Sequence, residues 1–100
     1  MKLIKPSPKP VLSLDIGKKR IGLAYCDALF ITVSILPAVR RSNNFEEIKI
    51  MKEYIARHNI RGLIFGLPLD ENGCMTNQAF DCQKYGNELA EKLKLPFNFV

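Results

Sequence analysis

The spacing of apolar positions changes along the chain, and each spacing predicts a different element. Val11-Leu12-Ser13-Leu14-Asp15-Ile16 is a short apolar run that stops at Gly17, which predicts a strand ending in a turn. From Arg20 to Asp27 the period is two. Ile21, Leu23 and Tyr25 fall on one face, and Gly22, Ala24 and Cys26 on the other. With only Gly17-Lys18-Lys19 between them, the two runs predict an antiparallel hairpin. The small residues Gly22 and Ala24 predict the close approach of another element on their face. A third strand is expected within Ile31 to Val39, with Pro37 marking an edge or a bulge.

Beyond Arg41 the period lengthens. Phe45, Ile48, Met51 and Ile55 recur at helical spacing, which predicts a helix over about 44–58. Ser42, Asn43 and Asn44 are candidate N-caps, Glu46 and Glu47 suit its first turn, and His58-Asn59 suits its end. Arg61 to Phe65, bounded by Gly62 and Gly66, reads as a buried strand. Gly66 to Met75 reads as a loop, with Pro68 and the turn signal Asp70-Glu71-Asn72-Gly73. A second helix is expected over about Thr76 to Leu93, capped by Thr76, with Ala79, Cys82, Gly86, Leu89, Ala90 and Leu93 as its apolar stripe. Pro96 to Val100 starts another strand. Pro6, Pro8 and Pro10 make residues 1–10 a flexible leader. Three strands, helix, strand, helix, strand is the order of an α/β domain over 11–100. It predicts a mixed sheet, antiparallel over strands 1–3 and then parallel through helical crossovers.

Length and composition narrow the class. One hundred residues hold one core at most. Hydrophobic residues at 47% and charged residues at 25% exclude a disordered or collagen-like chain. The longest uncharged stretch, between Asp27 and Arg40, is short of the roughly 20 apolar residues of a membrane span. No signal-peptide pattern opens the chain, so the expected compartment is the cytoplasm. The charge is uneven. Residues 1–50 carry nine basic and four acidic side chains, and residues 51–100 carry six of each. The whole excess of +5 therefore lies in the first half, which suits a polyanion partner as well as plain solubility. Cys26, Cys74 and Cys82 form no C-x-x-C pair, and His58 is the one histidine. Neither a disulfide framework nor a zinc site follows, and small packed side chains are expected.

The densest chemistry lies in Asp15-Ile16-Gly17-Lys18-Lys19-Arg20-Ile21-Gly22. Asp15 stands where an apolar strand meets a turn. A carboxylate at the lip of a core is costly unless donors or a cation compensate it. A divalent metal is one compensator, and backbone amides in a basic hairpin are another. Lys18, Lys19 and Arg20 would face a phosphodiester. Spacing alone leaves the metal-ligand and turn-residue readings of Asp15 both open.

The stretch from Leu14 to Ala24 resembles the first motif of the YqgF/RuvX family, Holliday-junction-resolvase-like and pre-16S ribosomal RNA nucleases. That motif runs approximately Asp-x-Gly-x-Lys-Arg-x-Gly-x-Ala. Gly66-Leu67-Pro68-Leu69, then Gly73, then Gln78-Ala79, resembles the family's second motif, and Asp27 matches an acidic residue common at the end of the second strand. The resemblance implies an RNase H-like fold and metal-dependent hydrolysis of phosphodiesters with Mg²⁺ or Mn²⁺. It makes Asp15 the catalytic residue and metal ligand, and Lys18, Lys19 and Arg20 the contacts to nucleic acid. The loop with Gly66, Pro68, Asp70 and Gly73 would flank the cleft, Asp70 itself reading better as a turn residue than as a ligand.

The expected process is 5′-end maturation of pre-16S rRNA, with branched DNA as the alternative substrate. Family members carry an Asp-Glu-Arg segment and a further Asp beyond the strand matched by Pro96 to Val100. The domain is therefore expected to be C-terminally incomplete relative to the family, and residues 1–100 alone inactive or severely impaired as a nuclease. A non-catalytic nucleic-acid-binding module is the rival reading, supported by the basic first half and by the cations Lys18, Lys19 and Arg20 with Arg40 and Arg41. Asp-Ile-Gly-x-Lys also resembles the first phosphate motif of actin-like and sugar-kinase ATPases, which need two lobes and a longer chain. A homodimer through the edge at Pro96 to Val100 is a further possibility.

Overall fold

A hydrophobic strand that must pair on both sides belongs in the middle of a sheet, and β1 (Val11–Ile16) lies there. The computed structural model describes residues 10–26, 33–41 and 44–100, the side chain of Asn44 excepted. The leader over residues 1–9, Asp27, Ile31, and the cap candidates Ser42 and Asn43 lie outside the described residues. On one side β1 pairs antiparallel with β2 (Arg20–Cys26), which pairs antiparallel with β3 (Val33–Arg40). On the other side it pairs parallel with β4 (Gly62–Phe65), which pairs parallel with β5 (Phe97–Phe99). The order is β3-β2-β1-β4-β5. Helices α1 (Asn44–His58) and α2 (Asn77–Leu93) supply the crossovers that lead into β4 and β5.

The β1–β2 turn is tight. The Gly17 amide donates to the Arg20 carbonyl at 2.9 Å. A Cβ on Gly17 would lie 2.9 Å from that carbonyl oxygen, so a side chain there would force the turn open. Between β2 and β3 the register shifts. Ile21 pairs with Val39 and Leu23 with Leu36, so Pro37 and Ala38 face the single residue Gly22. Pro37 thus sits in a bulge of an edge strand, where its missing amide costs no ladder bond.

Register decides which face is buried. Leu14 opposes Leu23 and Ile16 opposes Ile21, and these four join Leu12, Leu63 and Phe65 in one cluster. Met51 of α1 and Cys82, Tyr85, Leu89 and Leu93 of α2 close that cluster from above. Gly86 lets α2 descend on the aromatic end of the sheet. A Cβ there would stand 3.0 Å from the Phe99 ring and 3.2 Å from Phe65. The opposite face shows Ser13 and Asp15, with Ser13 beside Ala24 and Asp15 beside Gly22.

Helix ends are closed by local chemistry. The Thr76 hydroxyl accepts from the Ala79 amide at 3.0 Å and so caps α2. At the end of α1, Asn59 turns left-handed with φ 55°, and the Ile60 amide reaches back to the Ile55 carbonyl at 2.9 Å.

Two expectations need correction. The buried line of α1 keeps Met51, with Ile48 and Ile55 packed against the core, but it begins at Glu47 and leaves Phe45 out. Phe45 is 80% exposed, whereas Glu47 is 1% exposed and Met51 is fully buried. Glu47 is met in the interior by the Tyr85 hydroxyl of α2, which donates to it at 2.6 Å. Among the described residues, no helix or loop closes on Gly22, either. Among the described residues, the only atoms within 4 Å of a Cβ on Gly22 belong to Asp15, at 3.6 Å and beyond. Among the described residues, the missing side chain of Gly22 leaves open space beside Asp15. Among the described residues no helix is long and apolar enough to cross a membrane.

Candidate functional site

Parallel strands leave their carboxyl ends together, and the loops that follow them gather there. Asp15 is the penultimate residue of β1, and its side chain is exposed on the sheet face away from the helices. The parallel register brings Gly66 alongside: Leu14 pairs with Phe65, and the Gly66 amide donates to the Leu14 carbonyl at 3.1 Å. The loop that begins at Gly66 therefore leaves the sheet beside Asp15. Among the described residues, no hydrogen bond or ion pair occupies the Asp15 carboxylate. A turn aspartate would be bonded to backbone amides, so the turn-residue reading has no support at Asp15.

It has support at Asp70. One Asp70 carboxylate oxygen accepts from the amides of Asn72 and Cys74, each at 2.8 Å. The Asp70 carbonyl accepts from Gly73 at 2.9 Å, where φ of 79° suits glycine. Asp70 thus organises its own turn. Pro68 serves the same loop, since its carbonyl accepts from the Thr76 hydroxyl at 2.8 Å and ties the loop to the start of α2.

Lys18, Lys19 and Arg20 come together as expected. They line a groove of about 780 Å³ with Ala38, Arg40 and Arg41. Lys18, Lys19, Arg20 and Arg40 are exposed and make no ion pair among the described residues. A concave surface walled by unpaired cations attracts a polyanion and neutralises phosphates directly.

Arg41 differs from its neighbours. Its guanidinium donates to the Asp81 carboxylate through both terminal nitrogens, at 2.9 and 3.1 Å, and to the Gly17 carbonyl at 2.9 Å. Its carbon lies 4.2 Å from the centre of the Tyr85 ring. The Tyr85 hydroxyl donates to buried Glu47 at 2.6 Å. Each shift follows from these partners. The bond to Arg41 holds the Asp81 carboxyl below its ordinary value, and the bond to Asp81 raises Arg41. Burial first, and then the bond to Glu47, push the Tyr85 hydroxyl up. Burial also raises the thiol of Cys82, which donates to the Ile16 carbonyl at 3.2 Å. Asp81, Tyr85 and Glu47 were not singled out as a site by the sequence. Their only signal was the presence of polar residues near the apolar stripes of two helices.

A metal centre of the two-ion type needs several carboxylates around one point. Among the described residues no three His, Cys, Asp or Glu side chains gather in that way. Asp15 fits the part of one ligand, and the described residues do not fit the full set.

A five-stranded mixed sheet in this order, with an open carboxylate at the end of its central strand, defines an RNase H-like fold. Among solved structures, Thermus thermophilus RuvC in complex with a Holliday junction substrate superposes with a TM-score of 0.55 at 13% identity. The match covers 90% of this chain and 62% of that one. A Bacteroides thetaiotaomicron protein with an actin-like ATPase fold superposes with a TM-score of 0.53 at 11% identity, over 94% of this chain and 33% of that one. At such identities the likeness is one of fold. Family membership rests on sequence: the chain belongs to the family described as "RuvX: Holliday junction resolvase", whose model matches residues 9–100. It is 63% identical, over its whole length, to the "Putative pre-16S rRNA nuclease" of Prochlorococcus marinus strain MED4, and spans 66% of that protein. A Synechococcus relative of the same name, from strain CC9902, is 47% identical over 95% of this chain and 58% of its own length.

Proposed function

We propose that this chain carries the substrate-binding surface and the first metal-ligand carboxylate of a divalent-metal-dependent nuclease that acts on structured nucleic acid. The observation that carries the reading is the exposed Asp15 carboxylate at the end of β1, unbonded among the described residues and two residues before a turn whose cations line an open groove. Lys18, Lys19, Arg20 and Arg40 bind backbone phosphates. Asp15 contributes one ligand to Mg²⁺ or Mn²⁺, and the ion supplies activation of water and stabilisation of the leaving oxygen. The Gly66–Gly73 loop borders the substrate. The names of the Prochlorococcus and Synechococcus relatives favour pre-16S rRNA as the substrate, and the family resemblance puts the cut at its 5′ end. Branched DNA is the second reading, favoured by the Holliday junction bound to the RuvC of like fold. The expected compartment is the cytoplasm.

Two measurements test the reading. Titration of labelled pre-16S fragments and four-way DNA junctions at several salt concentrations should give binding that weakens steeply with salt. Four neutralised phosphates predict a logarithmic slope of about −3 to −4. Because no three possible metal ligands gather among the described residues, residues 1–100 should show no Asp15-dependent cleavage with Mg²⁺ or Mn²⁺. In a protein of the relatives' full length, Asp15→Asn should abolish cleavage and leave binding in place. Cleavage that survives this substitution, or binding indifferent to salt, overturns the proposal.

A further inference from the structure

The cations of the β1–β2 turn are useful only if the turn holds its shape, and its contacts show what holds it. The turn projects from the sheet, and its two central residues, Lys18 and Lys19, are exposed. Two of its carbonyls are nevertheless bonded to one distant residue. The Arg41 amide donates to the Lys19 carbonyl at 2.7 Å, and the Arg41 guanidinium donates to the Gly17 carbonyl at 2.9 Å. The same guanidinium is gripped on its other side by Asp81 of α2 and lies over the Tyr85 ring. Arg41 also borders a second groove of about 510 Å³, with Lys18, Asn77, Gln78 and Asp81.

We infer that Arg41 is a positioning residue for nucleic-acid binding, fastening the Lys18–Arg20 turn to α2 through its planar fork and not serving as a phosphate contact. The inference rests on the binding role proposed above for that turn. A guanidinium whose bonds are directed at a carboxylate and a carbonyl has fixed geometry. Its charge is already matched by Asp81, so it adds little to the field of the groove. Lysine in its place would keep the charge and lose the fork.

This distinction gives opposite signs in one experiment. Asp81→Asn removes a negative charge at the rim of a phosphate-binding groove, so simple attraction predicts tighter binding. The clamp predicts weaker binding, because the turn is no longer held. Arg41→Lys conserves charge, so attraction alone predicts no change, and the clamp predicts roughly tenfold weaker binding to a pre-16S fragment or a four-way junction. The salt slope should stay near the wild-type value, since the phosphate contacts are not removed. Asp81→Glu, which can remake the forked pair, should recover most of the lost affinity.

Titrations are made below the melting transition of each variant. Hydrogen exchange of the residue 17–20 amides, measured without nucleic acid, should quicken in Arg41→Lys and Asp81→Asn. Tighter binding by Asp81→Asn, wild-type binding by Arg41→Lys, or unchanged exchange in the turn overturns the inference. Failure of the wild-type chain to bind at all, with the turn loosened in the variants, would sink the functional reading and leave the clamp standing.

Discussion

Leu14 and Asp15 are adjacent in one strand, yet they belong to two different surfaces. The Leu14 side chain points into the layer between sheet and helices and is almost wholly buried. The Asp15 side chain points to the other face, opposite a glycine, and is exposed. The covered face is made of Leu, Ile, Phe and Met held in register by the pairing of β1 with β2 and β4. The uncovered face near the strand's end carries Ser13, Asp15 and Gly22. A period of two lets one strand do both tasks, because neighbouring residues never compete for one environment. The covered face sets where the backbone lies, and the uncovered face presents chemistry from a position the core has fixed.

The largest effect should come from the covered face. Leu14→Ala removes methyl groups from a closely packed layer and should cost about 2–5 kcal/mol. That is a large part of the roughly 5–15 kcal/mol by which such domains are stable. A urea titration should show the midpoint falling sharply, and a loss under about 1 kcal/mol would mean that the layer relaxes around the gap.

The covered face contains one polar pair, and it tests whether that face is purely a matter of packing. Tyr85→Phe leaves the carboxylate of Glu47 without the donor that reaches it at 2.6 Å. Glu47 is 1% exposed, and its other carboxylate oxygen lacks a partner among the described residues. The expected cost is about 1–3 kcal/mol, and replacing both residues by apolar ones of similar shape should restore most of it. Equal stability of Tyr85→Phe and wild type would show that the pair contributes nothing. The tyrosine also titrates distinctively. Its folded value is raised above the ordinary 10.0 by burial and by Glu47. The folded state therefore keeps the proton when the unfolded chain begins to lose it. This contribution is fully present below pH 10 and is lost as pH rises through the raised value. In Tyr85→Phe that alkaline decline should be absent.

The elements that alternate or recur within a few residues were legible in the sequence. The β1–β2 hairpin, the bounds of α1 and the Thr76 cap of α2 all follow from contiguous signals. Asp15 and the cations from Lys18 to Arg20 were legible for the same reason. The failures share a different cause. Glu47 read as an acid suited to a solvated first turn, and its burial depends on Tyr85, 38 residues away. Arg41 read as one more cation, and its pairing depends on Asp81, 40 residues away. Phe45 has the spacing of a core residue, yet it is exposed and Glu47 is buried. A single sequence shows period and local chemistry. It does not show which polar residues meet across the fold, and here such meetings accompany the burial of Glu47 and tie Arg41 to α2.

A smaller effect is expected where the two surfaces join. Arg41 and Asp81 link the turn after β1 to α2 at the rim of the core. Asp81 is half exposed, so solvent screens the pair and its contribution is modest. Its folded value is depressed by the bond to Arg41, below the ordinary 3.8. The stabilisation is present above pH 3.8 and is lost as pH falls through the depressed value. Thermal melts below pH 4 should therefore decline less steeply for Asp81→Asn than for wild type. Parallel curves would mean that the pair does not differ between folded and unfolded chains.

The smallest effect on stability should come from the residue with the greatest expected effect on chemistry. Asp15→Asn changes a charge that is exposed and, among the described residues, bonded to nothing. The folded state loses no contact, so the urea midpoint should move by no more than about 0.5 kcal/mol in equivalent stability. One position earlier, the same measurement should find several times that loss. A marked destabilisation by Asp15→Asn would show that the carboxylate supports the strand end, and the two faces of β1 would then share one structural task. A near-zero change, set beside the collapse of Leu14→Ala, would leave that carboxylate without a structural reason for its place, and binding or catalysis as the role that remains for it.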